Sequence, residues 1–535
     1  MVFSLFLATS AIEQFRRGLT DNTFAGIHHS SWFDWAILIP YFGILCILSV
    51  YGLHRYEVIH SYFKHRKKAT GEPPVHFAEL PKVTIQLPLF NERYVVERLI
   101  DETCKVEYPK HLLQIQVLDD STDDTHPFAQ ALVQKYQALG FPVEYKHRTN
   151  RHGYKAGALQ EGLDTATGEF VAVFDADFIP PTDFLTRTIH HFADPKVGVV
   201  QTRWSYLNRH YNFLTEVEAM LLDGHFVLEH GARARSGLFF NFNGTAGILR
   251  KTMIADAGGW QHDTLTEDSD LSYRAQIKGW KFIYLPGLHC PSELPVEMHG
   301  FQVQQSRWAK GLTQCAKKLL PTILRANIPL RVKVEAFLHL TPNISYPLMV
   351  VISALMLPVM ICRFYMGWVQ MVFLDVPLIL ASFISISAFY VIAQRELYPK
   401  TWKRAFLLLP MLMAIGVALT IINTRAVLEA LFGVQTSFVR TPKFAIEGNI
   451  PRPKLEQKKY RGRSGWLPYV ELCFGTYFLG MVIFAIDSGN YLSIPFLGLF
   501  VGGYYWAGFA TLLHEHQERI QQMRERKMAL QIARG

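Results

Sequence analysis

Charge is scarce in these 535 residues: Asp, Glu, Lys and Arg together make up 19%, against 50% hydrophobic and 13% aromatic residues. That balance is too apolar for a wholly soluble protein and too charged for a wholly buried one, so one soluble domain beside a membrane part fits best. Cysteine is sparse as well. Cys46, Cys362 and Cys473 fall in apolar segments, and Cys104, Cys290 and Cys315 stand singly. This spacing excludes a disulfide framework or a cysteine-zinc module and predicts free thiols in a reducing compartment. No basic residue precedes the first apolar stretch, VFSLFLATSA, and Arg16 and Arg17 come after it, so no cleaved leader is expected. The absence of internal repeats argues against a secondary transporter. The absence of a Gly-rich Walker-type lysine loop argues against a transporter or channel with a merely nucleotide-binding domain.

The net charge of +9 could signal a nucleic-acid partner, but the basic residues gather beside apolar segments, as in HRKK at 65–68 and KKYRGR at 458–463. Lipid headgroups and positive-inside topology explain that placement, and no nucleic acid is expected. Trp35 to Leu53 is uncharged, long enough to span a bilayer, and flanked on its C-terminal side by Arg55, Lys64, Arg66, Lys67 and Lys68, which puts the next region of the chain in the cytosol. After Arg325, the segments Ile344 to Ile361, Val369 to Ile392, Leu467 to Ile486 and Tyr491 to Leu513 can each cross a membrane. A further apolar run, Ala405 to Ile422, has basic flanks on both sides (Arg395, Lys400, Lys403, Arg404; then Arg425, Arg440, Lys443), so it reads as interfacial or re-entrant. The resulting division is an N-terminal helix and basic linker over 1–70, a soluble domain over 80–320, a membrane region over 325–515 with an interfacial segment at 404–432, and a basic cytosolic tail over 516–535. The N-terminus is expected outside.

Between about 81 and 320 short β-rich runs alternate with helical ones: VTIQLPLF, IQVLDD, VEYKHR, FVAVFDAD and VGVVQTRW. The alternation predicts a mostly parallel α/β sheet. Open sheets of this kind bind ligands beyond the carboxyl ends of their strands, where Asp119, Asp120, Asp175 and Asp177 would meet.

A sugar leaving with a nucleoside diphosphate needs a divalent cation, carboxylates to hold it and cationic donors for the diphosphate. Asp175 and Asp177 in FDAD follow an apolar strand, where alternate residues point the same way and can share one hard cation, Mg²⁺ or Mn²⁺. Asp119 and Asp120 suit a hydrogen bond to a base or ribose, whereas Ser121, Thr122 and Asp123 have the chemistry of a turn. Lys155 in NRHGYKAGAL stands near a helix N-terminus, either as a phosphate contact or as a surface lysine on a capped helix. In LTEDSD the dipole of a helix start accounts for Glu267 and Asp270, and Asp268 has the further use of taking the proton of an acceptor hydroxyl. A single base with in-line displacement inverts the anomeric centre. QQSRW offers two readings: an interfacial helix with a snorkelling Arg307 and an anchoring Trp308, or Gln304, Gln305 and Arg307 bonding diphosphate or sugar hydroxyls while Trp308 stacks on the acceptor sugar.

With LDDSTDD, NRHGYKAGAL, FDAD, FNFNGTAGILRK, AGGW, LTEDSDLSYRAQIKGWKFIYL, SELP and QQSRW in order from about Lys82 to Lys443, the chain resembles the processive family 2 glycosyltransferases. Within them it is most similar to the plant cellulose synthase-like A and C groups of mannan and xyloglucan-backbone synthases. The resemblance implies a cytosolic GT-A domain inserted in an α-helical multi-pass membrane domain that secretes the growing glycan, in a bacterial inner membrane or the Golgi. It implies that Asp119 or Asp120 binds the nucleoside, that Asp175 and Asp177 hold diphosphate and metal, and that Asp268 is the base. Glu267 joins the substrate site, and Gln304, Gln305, Arg307 and Trp308 line a channel entrance. The family's gating-loop pattern F-x-V-T-x-K appears as FVRTPK within 437–444: Phe438, Thr441 and Lys443 match, and Arg440 replaces the usual Val. Control by a cyclic dinucleotide is not expected, since the chain ends soon after its last apolar segment.

The expected function is therefore an inverting, processive synthase of a β-mannan or β-glucan from GDP-mannose or UDP-glucose, with the growing glycan as acceptor and the lipid bilayer as its setting. The alternative is a non-processive membrane transferase with a lipid acceptor.

Overall fold

The structure is a computed structural model that describes residues 31–68, 73, 75–364, 378, 380–436, 440–448, 465–487 and 491–532. It divides into two units: residues 1–56, 344–428 and 460–535 form one, and 57–343 with 429–459 form the other. All six cysteines are free thiols.

The second unit is built on a seven-stranded sheet in the order β3-β2-β1-β4-β6-β5-β7. The strands are β1 Val83–Leu89, β2 Leu113–Asp119, β3 Val143–His147, β4 Phe170–Val173, β5 Val197–Tyr206, β6 Gly247–Arg250 and β7 Lys281–Ser292. The pairs β1–β2, β2–β3, β1–β4 and β5–β7 are parallel, while β6 runs antiparallel between β4 and β5. Strands β1, β2 and β4 are buried almost throughout; β4 is accordingly apolar along its length, whereas β1 and β2 bury polar residues that bond across the strands, Thr84 to Gln114 and Gln86 to Gln116. Val83, Ile85 and Leu87 pack with Ile115 and Val117 on one face, and Val171, Val173 and Leu249 pack with helix residues such as Leu159 on the other.

The expectation of a mostly parallel sheet agrees with this topology, and the five β-rich runs become β1 to β5. Strands β6 and β7 escape periodicity for local reasons. Only four residues form β6, and β7 contains Pro286 and Gly287 with a register shift against β5 between Thr202 and Arg203. Both features blur the two-residue alternation.

The first unit is helical. Among the described residues four helices are long and apolar enough to cross a membrane, Trp32–His65, Pro342–Cys362, Leu467–Asp487 and Ile494–Gln517, or up to five if a bent pair counts as one span. Large apolar side chains such as Ile39 and Ile483 remain exposed on them, as lipid-facing positions would be. This is a membrane protein. Inside the unit Phe478 stacks on Phe500 with ring centroids 4.5 Å apart, and both belong to a core with Tyr41, Ile352 and Tyr504. A Cβ at Gly503 would lie 2.5 Å from the Ala414 carbonyl oxygen, so that glycine is what lets two helices approach.

The Ala405 to Ile422 run forms Ala405–Ala418, succeeded after Leu419 by Thr420–Leu431. The pair is bent by 43°, the geometry of a broken span or a re-entrant loop. Of the Val369 to Ile392 segment, 369–377 and 379 lie outside the described residues. Its remainder is a π-turn, Leu380–Ile384, running into Ser385–Leu397. The basic run at 458–463 also lies outside the described residues, and the C-terminal tail continues the helix Ile494–Ile532.

Candidate active site

The carboxyl ends of β1, β2 and β4 open onto one cleft in the second unit. Its walls carry the carboxylates Glu92, Asp120, Asp175, Asp177, Glu267, Asp268 and Glu293 against the cations Arg151, Lys155, Arg307, Arg440 and Lys443. Seven acids face five bases, a formal excess of two negative charges.

Each acidic pair named from the sequence has a distinct surrounding. Asp120 lines the cleft and is gripped by Arg148, whose Nε and Nη2 donate to its two carboxylate oxygens at 2.7 and 2.5 Å. Asp119 does not line the cleft. It is fully buried, with Tyr145 Oη donating to Oδ2 at 2.5 Å and the Ser121 amide donating to Oδ1 at 2.8 Å. Its strand position turns it to the opposite side from Asp120, so between the two only Asp120 reaches the cleft. Ser121, Thr122 and Asp123 hold the loop: Ser121 Oγ accepts from the Asn91 amide, the Thr122 amide donates to Asn91 Oδ1, and the Thr125 amide donates to Asp123 Oδ1.

Asp175 and Asp177 follow the end of β4 at Val173, with Asp177 already in a turn rather than in the strand, and both line the cleft. Lys155 Nζ lies 2.6 Å from Asp175 Oδ1 and donates to the Gly244 carbonyl at 2.8 Å. Lys443 Nζ lies 2.7 Å from Asp177 Oδ2. Burial pulls the Lys155 ammonium down, but Asp175 and Glu267 outweigh it and hold the amine above its ordinary value. The same balance, with Asp177 and Glu293 as partners, raises Lys443. Gly244 has φ +78°, and a Cβ there would stand 2.9 Å from Asp268 Oδ2 and 3.3 Å from Lys155 Nζ. The left-handed backbone conformation favours glycine at this point, and a side chain here would displace the Asp268 carboxylate.

Asp268 sits in the first turn of the helix Glu267–Ile277. Burial and then the neighbouring Glu267 raise its carboxyl, while Lys155 and the Ser269 amide oppose them. Gln304, Arg307 and Trp308 line the cleft from the helix Met298–Arg325, whereas Gln305 does not. Positions i, i+3 and i+4 share one helix face, and i+1 is turned about 100° away. Burial lowers Arg307, and Asp175 and Glu267 pull it back.

The segment 440–447 closes the cleft from a distant part of the chain. Arg440 lies 3.1 Å from Glu92 Oε2 and donates to the carbonyls of Phe90 and Asn91. Lys443 donates to the Glu293 carbonyl, and the Phe444 and Ile446 amides donate to the Glu293 carboxylate. Burial pushes Glu92 up to about 7 against the pull of Arg440. Phe438 lies outside the described residues. Gln304 Oε1 and Thr441 Oγ1, on two residues that line the cleft, are buried without a hydrogen-bond partner among the described residues.

Sequence reasoning missed Glu92, Arg148, Arg151, Glu293 and Arg440 as parts of this constellation. Glu293 stands in the SELP motif and Arg440 is the departure in FVRTPK, so both carried a signal. Arg148 carried none, since its role is set by pairing across β2 and β3.

A divalent cation fits this donor set. Asp175 and Asp177 offer hard oxygens, and a diphosphate brought into a cleft with excess negative charge requires further positive charge.

Residues 170–419 match a family model described as glycosyl transferase family group 2, and residues 84–253 match one described as glycosyl transferase family 2. Glucomannan 4-beta-mannosyltransferase 2 of Arabidopsis thaliana is 40% identical over 296 residues, 53% of this chain and 54% of the relative. Glucomannan 4-beta-mannosyltransferase 9 of the same plant is 41% identical over 261 residues, 48% of this chain and 49% of the relative. The chain thus spans about half the length of the curated relatives it matches. Among solved structures, a mannosyltransferase from Pyrobaculum calidifontis in complex with GDP-Man and Mn2+ is 21% identical, with a TM-score of 0.50 over 74% of this chain and all of the other. That likeness shows the GT-A fold. Across residues 84–419 the chain is thus similar to family 2 glycosyltransferases, and over about half of its length it is about 40% identical to glucomannan mannosyltransferases.

Proposed function

We propose that the protein is an inverting, metal-dependent, processive glycosyltransferase that makes a β-mannan-type glycan from GDP-mannose and passes it across the membrane. The observation that carries this reading is the convergence of Asp120, Asp175, Asp177, Asp268, Arg307 and Trp308 on one cleft. The mannosyltransferase names of the matching relatives favour mannose as the sugar, and the GDP-Man bound to the Pyrobaculum calidifontis mannosyltransferase favours GDP over UDP as the carrier.

In this reading Asp120 binds the nucleoside, and Lys155, Arg307 and Lys443 hold the diphosphate as charge builds on the leaving group. Asp175 and Asp177 would hold Mg²⁺ or Mn²⁺, which supplies Lewis-acid neutralisation of that leaving group. Asp268 takes the proton from the acceptor hydroxyl, and attack on the face opposite the diphosphate converts an α-linked donor into a β-linked product. Trp308 offers the acceptor sugar an aromatic face. Thr441, whose buried hydroxyl has no hydrogen-bond partner among the described residues, belongs to the closing segment over the donor. The catalytic unit faces the cytosol.

The test uses membranes carrying the full chain, supplied separately with radiolabelled GDP-mannose and UDP-glucose, with product length and β-mannanase sensitivity measured. Long, mannanase-sensitive chains from GDP-mannose, lost with excess chelator, are expected. Incorporation of one sugar into a lipid extract would establish the non-processive alternative instead, and chains from UDP-glucose alone would overturn the donor.

A further inference from the structure

At the β2–β3 edge, away from the cleft, lies a second group of ligating side chains. Parallel pairing sets Asp119 beside His147 at the carboxyl ends of β2 and β3. His126 lies in the first turn of the next helix, Thr125–Ala138. The ligand atoms of these three residues all lie within 4.8 Å of one another, with His126 Nδ1 3.7 Å and His147 Nδ1 3.8 Å from Asp119 Oδ2. None of the three lines the acidic cleft. Asp119 is fully buried, but the two imidazoles are 37% and 26% exposed, so the group is closed behind and open to solvent in front.

We propose that Asp119, His126 and His147 form a site for a borderline transition-metal dication of the zinc type, separate from the hard-oxygen site at Asp175 and Asp177. Two imidazole nitrogens and one carboxylate select zinc-like ions, whereas magnesium takes oxygens and water. Zinc bonds of about 2.0–2.2 Å place tetrahedral ligand atoms roughly 3.3–3.5 Å apart. The two distances to Asp119 Oδ2 need to contract by only a few tenths of an ångström, while the His126 and His147 rings, stacked with centroids 3.9 Å apart, must turn for both nitrogens to converge on one ion. Donors already fix both oxygens of Asp119, Tyr145 Oη on Oδ2 and the Ser121 amide on Oδ1, the outer support that ligating carboxylates use. The fourth position faces solvent.

A metal-free arrangement competes with this one. His126 Nδ1 lies 2.5 Å from Tyr145 Oη. Since the hydroxyl proton goes to Asp119, an Nδ1–H tautomer can donate to the phenol oxygen and satisfy the network without an ion. Metal binding moves that proton to Nε2 and frees the Nδ1 lone pair. The ion would then tie the ends of β2 and β3 to the start of a helix. Asp120 and Arg148, the next residues along, carry the bidentate pair at the rim of the cleft.

The experiment uses tag-free, detergent-purified full chain in excess Mg²⁺, which occupies hard-oxygen sites, with ZnCl₂ and CoCl₂ as probes. One equivalent of zinc should survive gel filtration and raise the melting temperature, and cobalt should give a visible d–d absorption that zinc abolishes. The double variant His126→Ala, His147→Ala should lose both effects, whereas Asp175→Ala should keep them. Should the wild type retain no zinc and show no cobalt band under excess Mg²⁺, the site does not exist. Equal retention by the folded double variant places the ion elsewhere, for example at the neighbouring His76 and His190 rings, and overturns the assignment. If the double variant does not fold, the single variants His126→Gln and His147→Gln carry the test, and an unchanged cobalt band in both overturns the assignment. No arm reads sugar transfer, so failure here is distinct from failure of the proposed function.

Discussion

A carboxyl that must accept a proton works best when its own proton affinity approaches the working pH. Burial and Glu267 move Asp268 in that direction. The base must be ionised to act, so a raised value makes turnover fall as pH drops through a point above the usual carboxylate range. The acid limb of kcat against pH should therefore lie well above 4. Asp268→Asn should still bind donor while kcat falls by roughly a hundredfold or more. Near-normal turnover by the variant would leave Asp268 a helix-start residue only. Glu218 is a different kind of acid: it is fully buried on the helix Phe213–Asp223, and neither carboxylate oxygen has a hydrogen-bond partner among the described residues. Burial raises its carboxyl well above the ordinary value. The folded chain thus keeps a proton that the unfolded chain releases above about 4.3, and stability from this group declines as pH rises through that interval. Glu218→Gln has no such loss. Melting temperatures of the pair should shift in favour of the variant between pH 4.5 and pH 8, and a constant gap would refute the argument.

At the scale of elements, the segment 440–447 and the helix Met298–Arg325 decide what the cleft holds. Arg440 ties its segment to Glu92 and to the turn after β1, where Asn91 has φ +56°. Breaking a shielded pair leaves a carboxylate without its cation. Arg440→Ala should raise the KM for donor roughly tenfold, about 1.4 kcal/mol, and speed protease cleavage near 440–447. Unchanged KM and cleavage would make the pair incidental. On the facing helix, Trp308→Ala should abolish long product while nucleotide release to water partly survives, because hydrolysis needs no stacked acceptor. Both quantities are measured in the same membranes. Normal chains at a normal rate would return Trp308 to the role of an interfacial anchor.

For the whole molecule the open quantity is topology. Positive-inside bias predicts that Lys68, Arg395 and Lys443 lie together in the cytosol, and the bend of 43° after Ala418 is compatible with a segment that returns to the side it left. Reporter fusions near these three positions should all report cytosol. An outside signal at Lys443 would make Ala405–Leu431 a broken span that crosses. What the sequence by itself determined was whatever short-range pattern encodes: five of the seven strands, the apolar helices, the acidic strand ends, and the face shared by Gln304, Arg307 and Trp308. Asp119 and Gln305, read as members of the site, turn away from it because neighbours on a strand or helix point in different directions. Tertiary structure alone decided the rest. The antiparallel insertion of β6, the grip of Arg148 on Asp120 and the closure by Arg440 and Lys443 join residues up to 350 positions apart, and no local spacing records a contact of that range.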